Sequence, residues 1–269
     1  MAGGKLLLVG CGKMGGAMLE GWLERGLKPA DLAVIEPVEA SRPKIDGAAI
    51  VGSSEGLSPE FAPDLVVLAV KPQTMDAALP GLRRFADAGA TFLSIAAGKT
   101  LAYFRKHLGD TAKLVRAMPN TPAAVRRGVT VCVAGPGVGA AERARCQDLL
   151  SAVGSVDWVD DEALMDAVTA VSGSGPAYVF LLAEAMAAAG VKAGLPAELA
   201  TRLARGTVSG SGELLARSGD SAAQLRINVT SPGGTTAEAL KVLMAGDAIQ
   251  PLFDRAIDAA TRRSRELAG

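Results

Sequence analysis

The sequence contains one histidine, His107, and three cysteines that lie far apart, Cys11, Cys132 and Cys146. A single histidine excludes histidine metal clusters and most Ser/His or Cys/His nucleophile arrangements. The cysteines include no CxxC pair, and an odd, widely spaced set favours a reducing compartment such as the cytoplasm. We therefore predict no metal site and a mechanism that does not depend on histidine.

An excess of one charge sign and long apolar runs are also absent. Lysine plus arginine and aspartate plus glutamate number 28 each, so we expect no nucleic-acid partner. The longest apolar stretches, such as Ala177–Ala183, fall short of the roughly 20 residues that cross a bilayer. No signal peptide precedes the first predicted strand, and we expect no membrane partner. Hydrophobic residues make up 49% of the chain, which indicates a folded protein.

The 269 residues are enough for two domains. Up to about residue 160, continuous apolar runs alternate with helical patterns, which predicts a doubly wound α/β domain of parallel strands over residues 1–160. The predicted strands are Lys5–Val9, Leu32–Ile35, Leu65–Val70, Thr91–Ala96, Lys113–Ala117, Val129–Val133 and Val156–Val159. The predicted helices between them are Met14–Arg25, Thr74–Ala86, Thr100–His107 and Ala140–Val153.

Residues 161–269 show helical patterns only, which predicts an all-helical second domain. The predicted helices are Glu162–Val171, Ala177–Ala189, Pro196–Leu215, Ala222–Asn228, Thr236–Met244 and Ala248–Leu267. The long helix Pro196–Leu215 contains Gly206, Gly210 and Gly212, each about 1 kcal/mol less favourable than alanine in a helix. Close packing against another helix or a second copy would offset that cost, so we expect a homodimer.

A glycine turn, Gly10-Cys11-Gly12-Lys13-Met14-Gly15, follows the first strand and opens a helix. The spacing GxGxxG is weak evidence alone, but this is the context that dinucleotide binding requires. Gly10 permits the tight turn, Gly12 leaves room for a pyrophosphate and Gly15 allows close packing of helix and strand. The helix N-terminus then offers free N–H groups to the phosphates. A turn without a ligand is the alternative.

Glu36 ends the second strand, 21 residues beyond Gly15, where a carboxylate can accept hydrogen bonds from a ribose diol. This favours NADH over NADPH, because a carboxylate repels a 2′-phosphate. Arg42 lies nearby and weakens the inference, since an arginine could accommodate that phosphate. Glu36 could also be a solvated strand end.

Other strand ends supply further candidate cofactor contacts, because ligands of such sheets gather at the carboxyl ends of the strands. Lys71 could meet the cofactor or stay solvated, and Asn120 could orient a nicotinamide or stiffen its proline-flanked turn. The candidates are Ala69, Val70, Lys71, Pro72, Ala96, Ala97, Met118 and Asn120.

Two segments of the helical half are unusual for helices, Ser172–Pro176 and Val229–Thr236. The second places four hydroxyls around a Pro-Gly-Gly turn directly before a helix. Backbone N–H groups at a helix start, together with hydroxyls, form a pocket for a small carboxylate. We therefore predict that Ser231 and the backbone of Gly233, Gly234 and Thr235 bind one, although a capping loop is the alternative.

The segments GCGKMGGA, AVKPQ, RAMPNTPA, SGSGPAY and VTSPGGTT, in this order, resemble those of pyrroline-5-carboxylate reductases over essentially the whole chain. The resemblance implies a Rossmann domain followed by an all-helical dimerisation domain, with dimers assembling into larger rings. It implies reduction of Δ1-pyrroline-5-carboxylate to L-proline with NADPH or NADH, the last step of proline biosynthesis. It further implies a substrate loop of Asn228, Ser231, Thr235 and Thr236, with Glu162 nearby. Glu36 and Lys13 depart from common residues of the family.

A cyclic imine can be protonated before it is reduced, so orientation and neutralisation of the substrate carboxylate matter more than a strong acid. We therefore assign the catalytic hydrogen bond to the ring nitrogen to Thr236. Two alternatives stay open: a β-hydroxyacid dehydrogenase, which needs a lysine such as Lys192 or Lys241, and a non-catalytic NAD(H) sensor.

Overall fold

Among the residues that the structure describes, eight strands form one sheet. The computed structural model describes residues 4–268. The strands are β1 (Leu6–Val9), β2 (Leu32–Ile35), β3 (Ala49–Val51), β4 (Leu65–Leu68), β5 (Thr91–Ser94), β6 (Lys113–Met118), β7 (Gly128–Ala134) and β8 (Gly154–Val159). Their order in the sheet is β3-β2-β1-β4-β5-β6-β7-β8. All strands from β1 to β6 pair in parallel, and β1 lies between β2 and β4. The strand order therefore reverses between β1 and β4, because β2 and β3 are added on one side of β1 and β4 to β6 on the other. The prediction of a doubly wound α/β domain is confirmed.

The central strands are apolar on both faces because helices cover both faces. On β1, Leu7 and Val9 contribute to one buried cluster, whereas Leu6 and Leu8 contribute to the other. The fully buried Trp22 belongs to the second cluster, and its indole N–H donates to the carbonyl of Leu149 at 2.9 Å. Side chains alternate across a strand, so each face needs its own apolar set, which the continuous runs provide.

Two strand predictions needed correction. The edge strand β3 was missed because its three residues are at best half-buried and give no apolar run. The last two strands are not parallel to the others: β7 pairs antiparallel with β6, and β8 is parallel to β7. The reversal follows from the connection 119–127, which is shorter than the roughly dozen residues that a parallel crossover needs.

Six helices accompany the sheet. The predicted single helix Thr74–Ala86 is wrong, because Pro80 begins a 3-10 turn that separates two short helices. Proline has no N–H to donate in a helix interior, which accounts for the break. The helices are α1 (Lys13–Glu24), α2 (Met75–Ala78), α3 (Arg83–Asp87), α4 (Leu101–Leu108), α5 (Ala140–Leu150) and α6 (Met165–Val168).

The rest of the chain is helical, as predicted. After a π-helical turn at Thr169–Gly173 come α7 (Gly175–Lys192), α8 (Ala197–Arg217), α9 (Ala222–Asn228), α10 (Thr235–Leu243) and α11 (Ile249–Ala268). By internal contacts the chain forms two compact units, one up to Gly173 plus the residues from Ala260 onward, the other Ser174–Ala259. These units differ from the predicted division at 160/161, because the segment after β8 buries Met165 and Ala170 and therefore stays with the sheet.

The second unit exposes much apolar surface. On α7, Phe180 is 64% exposed and Leu181 is 63% exposed. The helical stretch Glu162–Lys192 is long and apolar enough to cross a membrane, judged by length and composition alone, a test that core helices also pass. Its apolar window is not buried within the chain. The expectation that every apolar stretch falls short of the length that crosses a bilayer was wrong, because a single charged residue such as Glu184 does not lower the mean hydropathy of the stretch enough.

Candidate cofactor and substrate sites

The glycine turn has the geometry that its motif predicts. Gly10 has φ +92°, and a Cβ there would lie 2.8 Å from Val70 Cγ1 and 2.9 Å from the carbonyl carbon of Ala69. A Cβ on Gly15 would collide with the carbonyl oxygen of Gly10. A side chain at either position would therefore displace the backbone. In contrast, a Cβ on Gly12 would meet no atom within 4 Å, so open space lies beside this residue.

Helix α1 begins at this turn with its N–H groups uncapped. Gly12 is the N-cap residue, no side chain caps the helix, and its first turn contains no acidic residue. Uncapped N–H groups and the positive end of the helix dipole attract anions. The open space at Gly12 and the uncapped helix start fit the pyrophosphate of a dinucleotide.

The predicted cofactor residues at strand ends do lie at one edge of the sheet. Strands β1, β2, β4, β5 and β6 run in the same direction, so their carboxyl ends share that edge. This arrangement brings together segments that are far apart in the sequence. They are Gly10–Gly15, Glu36, Ala69–Pro72, Ala96–Ala97 and Met118–Asn120.

Glu36 is held beside the glycine turn and is only 7% exposed. Its Oε2 accepts from the backbone N–H of Cys11 at 2.7 Å and its Oε1 accepts from that of Val38 at 2.9 Å. A carboxylate has about four acceptor positions, so two stay available for a ribose diol. Burial, and secondarily the Glu36 charge, raises the pKa of the Cys11 thiol.

Arg42 points back toward the end of β2. Its Nε donates to the carbonyl oxygen of Glu36 at 2.8 Å and its Nη2 donates to that of Pro37 at 3.3 Å. In this arrangement the guanidinium is engaged by backbone carbonyls beside the candidate ribose position.

The Asn120 side chain is committed within the protein. Its Oδ1 accepts from the N–H of Val129 at 2.9 Å, and its Nδ2 donates to the carbonyl and hydroxyl oxygens of Ser172 at 3.3 and 3.4 Å. These contacts favour the stiff-turn alternative for the amide, because both ends of it already have partners. Lys71 is exposed, which leaves it able to meet a ligand or solvent.

In the second unit, the segment Val229–Thr236, here called the hydroxyl-rich loop, leads into α10. Gly233 has φ +69°, and the N–H of Gly234 donates to the carbonyl of Ser231 at 3.0 Å, which closes the turn. Gly234 is the N-cap residue of α10 and provides no side chain, so the first N–H groups of the helix are uncapped. Thr236 is half-buried in the first turn, whereas Ser231 is exposed.

Asn228, at the end of α9, is part of a small polar network in the same unit. Its Oδ1 accepts from Gln224 Nε2 at 2.8 Å, and its Nδ2 donates to Asp220 Oδ2 at 3.4 Å. The orientation of the Asn228 amide is therefore set by both neighbours. The lysine that a hydroxyacid dehydrogenase would need is not free at Lys241, whose Nζ pairs with Glu238 Oε1 at 2.6 Å.

Glu162 belongs to the first unit, whereas the other predicted substrate residues belong to the second. Its Oε1 accepts from the N–H of Leu101 at 2.9 Å and from Arg116 Nη1 at 2.9 Å. Arg116 is 4% exposed and was missed by the sequence reasoning. Its position inside an apolar strand was the available signal, because a buried guanidinium requires a buried partner.

No group of three or more potential metal-ligating side chains lies together among the described residues 4–268. In the same part of the chain, Cys11, Cys132 and Cys146 are free thiols.

Comparison with known proteins identifies the family of both halves. Residues 162–267 match the family model described as pyrroline-5-carboxylate reductase dimerisation, and residues 5–98 match that of NADP oxidoreductase coenzyme F420-dependent proteins. Over 265 residues the chain is 41% identical to the pyrroline-5-carboxylate reductase of Pseudomonas aeruginosa, covering 98% of this chain and 97% of the relative. The enzyme of Arabidopsis thaliana is 37% identical, over 98% of this chain and 95% of the relative.

Solved structures agree. The chain resembles a pyrroline-5-carboxylate reductase from Coxiella burnetii at 34% identity and a TM-score of 0.90, covering 99% of each chain. It resembles the Plasmodium falciparum pyrroline carboxylate reductase with NADP bound at 30% identity and a TM-score of 0.82, covering 100% of each chain. The chain therefore belongs to the pyrroline-5-carboxylate reductase family of NAD(P)-dependent oxidoreductases.

Proposed function

We propose that this chain reduces the C=N bond of Δ1-pyrroline-5-carboxylate to give L-proline, with NADPH or NADH bound at the glycine turn and the imino acid bound at the loop Ser231–Thr236. The observation that carries this proposal is the uncapped start of α10, where a glycine N-cap and two adjacent threonines follow a Pro-Gly-Gly turn. A helix start without a side-chain cap is complementary to a small carboxylate.

The substrate carboxylate is neutralised by hydrogen bonds rather than by a paired cation. The N–H groups of Thr235 and Thr236 at the start of α10 provide aligned donors, whereas that of Gly234 is used within the turn, and the hydroxyl of Ser231 is exposed beside them. The orientation of the Asn228 amide by Gln224 and Asp220 gives a further fixed polar group beside the loop. Fixed donors of this kind orient a small ring before reaction and bring its imine into one position.

Thr236 donates a hydrogen bond from its hydroxyl to the lone pair that develops on the ring nitrogen as the neighbouring carbon accepts hydride. The chemistry that a bound nicotinamide supplies is a hydride for the imine carbon. An imine nitrogen that is already protonated needs orientation more than a strong acid, and the resulting amine is itself a base. A hydroxyl therefore suffices in a chain whose single histidine, His107, lies on α4.

Replacing Thr236 by valine removes the hydroxyl while keeping the side-chain shape. We expect turnover to fall about 10²-fold, because loss of one transition-state hydrogen bond costs about 2–3 kcal/mol. Thr236→Ser, which retains a hydroxyl, should restore most of the activity. Binding of NADPH should change little in either variant. The fall in turnover is measured as the steady-state rate of loss of NADPH absorbance.

Thr111→Val makes the same chemical change at an exposed turn of the first unit and should leave turnover unaffected. Unchanged turnover in Thr236→Val would contradict the role of this hydroxyl. No reduction of pyrroline-5-carboxylate by the wild-type chain would contradict the proposed function itself.

The chain has a dimerisation domain. We infer that it forms a homodimer, assembling further into a ring of dimers, through the exposed face of α7 and α8. A groove of about 920 Å³ between these helices is lined by the apolar residues Val179, Phe180 and Val208, together with charged residues such as Glu184 and Arg205. Burial of this face against a second copy accounts for the apolar stretch from Glu162 to Lys192 without a membrane partner.

The glycines of α8 support the same inference. A Cβ built at Gly206, Gly210 or Gly212 would have no other atom of the chain within 4 Å. Packing inside one copy therefore does not offset the free-energy cost of glycine in a helix. Phe180→Glu should dissociate the dimer, measured by sedimentation, whereas Val125→Glu, at an exposed position of the first unit, should not. A wild-type monomer at micromolar concentration would contradict the interface.

The three free thiols support the cytoplasm as the location of this protein, because free cysteines are typical of a reducing compartment.

A further inference from the structure

The loop between β5 and α4 contains Ala96 and Ala97, two of the proposed cofactor contacts. It follows the carboxyl end of β5, at the edge of the sheet where the glycine turn lies. Gly98, in the middle of this loop, has φ +73°, a conformation that only glycine adopts readily. The position of this loop therefore affects the proposed cofactor site directly.

The last turn of α11 packs on that loop. A Cβ at Gly98 would lie 3.3 Å from the carbonyl oxygen and 3.5 Å from the Cβ of Leu267. Gly98 and Leu267 belong to the same compact unit, because the residues from Ala260 onward group with the sheet. The loop is thus supported by a segment that is 169 positions away in the sequence.

Asp166 fixes this last turn of α11 in place. Its Oδ1 accepts a hydrogen bond from Ser264 Oγ at 2.7 Å, and its Oδ2 lies 3.8 Å from Arg265 Nε. Ser264 is only 6% exposed, so its hydroxyl depends on this partner. Hydrogen bonds to an ionised carboxylate are shorter and stronger than neutral ones.

The same short segment also fixes the other end of the loop. Glu162, one helical turn before Asp166, accepts from the N–H of Leu101 and from Arg116. Leu101 is the first residue of α4, directly after the loop, and Arg116 is on β6, the strand beside β5. Two acids of one segment therefore restrain the loop, one at its junction with α4 and one through α11.

We propose that Glu162 and Asp166 are positioning residues that hold the β5–α4 loop, and with it the NAD(P)H site, through Leu101 and through the last turn of α11. The proposal rests on the proposed cofactor role of Ala96 and Ala97. It gives Glu162 a role at the cofactor site, and its role beside the substrate stays a prediction. It also makes the last turn of α11 part of the cofactor-binding machinery.

Asp166→Ala in the full chain tests the proposal directly. Loss of a charge-assisted hydrogen bond should weaken binding of NADP⁺, measured by calorimetry without substrate, by about fivefold to tenfold. The KM for NADPH should rise in parallel, whereas the KM for pyrroline-5-carboxylate should stay within about twofold of wild type, because the partners of Asp166, Ser264 and Arg265, are not residues of the proposed substrate loop. A general loss of structure would not give this split between the two substrates.

Two further variants keep the result interpretable. Asp166→Asn retains an oxygen that accepts from Ser264, so it should recover most of the affinity for NADP⁺. Ser264→Ala removes only a hydroxyl, and it tests the same contact if Asp166→Ala fails to fold. Asp87→Ala is the matched control, since Asp87 forms an exposed pair with Arg83 on α3.

Folded Asp166→Ala and Ser264→Ala proteins that bind NADP⁺ as tightly as wild type would overturn the proposal. An equal loss of affinity in Asp87→Ala would overturn it as well. Failure of the proposed function is a separate result, namely a wild-type chain that binds NADP⁺ but does not reduce pyrroline-5-carboxylate.

Discussion

Replacement of Glu36 by glutamine should shift the cofactor preference of this enzyme toward NADPH. The carboxylate lies at the end of β2, where the adenosine ribose of a dinucleotide is placed in this fold. In the wild type its charge opposes the 2′-phosphate of NADPH, while its remaining acceptor positions favour the ribose diol of NADH. Glutamine has nearly the same shape, so the substitution changes charge and hydrogen bonding but not volume.

The size of the shift follows from the charges and the surroundings. A carboxylate and a 2′-phosphate of charge about −1.5 that lie about 5 Å apart repel by about 1 kcal/mol at the dielectric of water and by about 5 kcal/mol at an effective dielectric of 20. Pro37 and Val38 beside the site are exposed, which favours the lower end of this range. A difference of about 1–2 kcal/mol corresponds to a change of about fivefold to thirtyfold in relative affinity.

The substitution also has a structural cost, because Glu36 accepts from the N–H groups of both Cys11 and Val38. Glutamine turns its NH₂ group toward one of these donors, which should cost about 1–3 kcal/mol of stability. Thermal unfolding measures that loss. This loss of stability does not affect the ratio of kcat/KM for NADPH to kcat/KM for NADH, since both values are measured on the same folded protein.

The assay compares kcat/KM for NADPH and for NADH in the wild type, in Glu36→Gln and in Glu39→Gln. Glu39 lies three positions further along the chain, and its replacement changes the net charge equally at an exposed position. The ratio of kcat/KM for NADPH to kcat/KM for NADH should rise about fivefold or more in Glu36→Gln alone. An unchanged ratio, or an equal change in Glu39→Gln, would refute the assignment of Glu36 to the ribose position.

Two further predictions concern titratable groups. Alkylation of the native protein should modify Cys11 slowly, because burial raises the pKa of its thiol, and dinucleotide bound at the glycine turn should slow it further. Cys132 and Cys146 should react only after unfolding, since burial raises the pKa of both thiols, that of Cys146 to about 12. Peptide mass spectrometry measures the extent of alkylation at each cysteine. An alkylation rate of Cys11 that does not change when dinucleotide is added would contradict the cofactor site. The Tyr103 hydroxyl, 2.6 Å from Asp76 Oδ1, lowers the pKa of Asp76, so this pair stabilises the fold above the ordinary aspartate pKa of about 4 and loses that effect as the pH falls. Tyr103→Phe should therefore lower the Tm at neutral pH but not at about pH 2, and parallel Tm curves for the two proteins would contradict this.

Much of the fold was predictable because its signals are local. The strands of the central sheet are short apolar runs, and α8, α10 and α11 follow apolar periodicity. The exceptions were elements without such a signal. Strand β3 is too short and too exposed to stand out, and Pro80 divides a stretch whose apolar pattern alone reads as one helix.

The candidate site was predictable in part. Gly10, Gly12 and Gly15 follow from their spacing between a strand and a helix, and the structure gives each of them the expected geometry. The hydrogen-bond partners of the polar side chains could not be predicted from the sequence. Asn120 is held by Ser172, which is 52 positions away, and Glu162 is held by Arg116, which is 46 positions away.

The sequence by itself determined the local elements, the glycine turn, the hydroxyl-rich loop and the family, because each of these depends on residues that are close together in the chain. Only the tertiary structure decided the reversal at β7, the partners of Glu36 and Glu162, and the packing of the last turn of α11 on Gly98. The physical reason is that a hydrogen bond or a packing contact depends on proximity in space, and folding brings together groups that sequence spacing leaves unrelated.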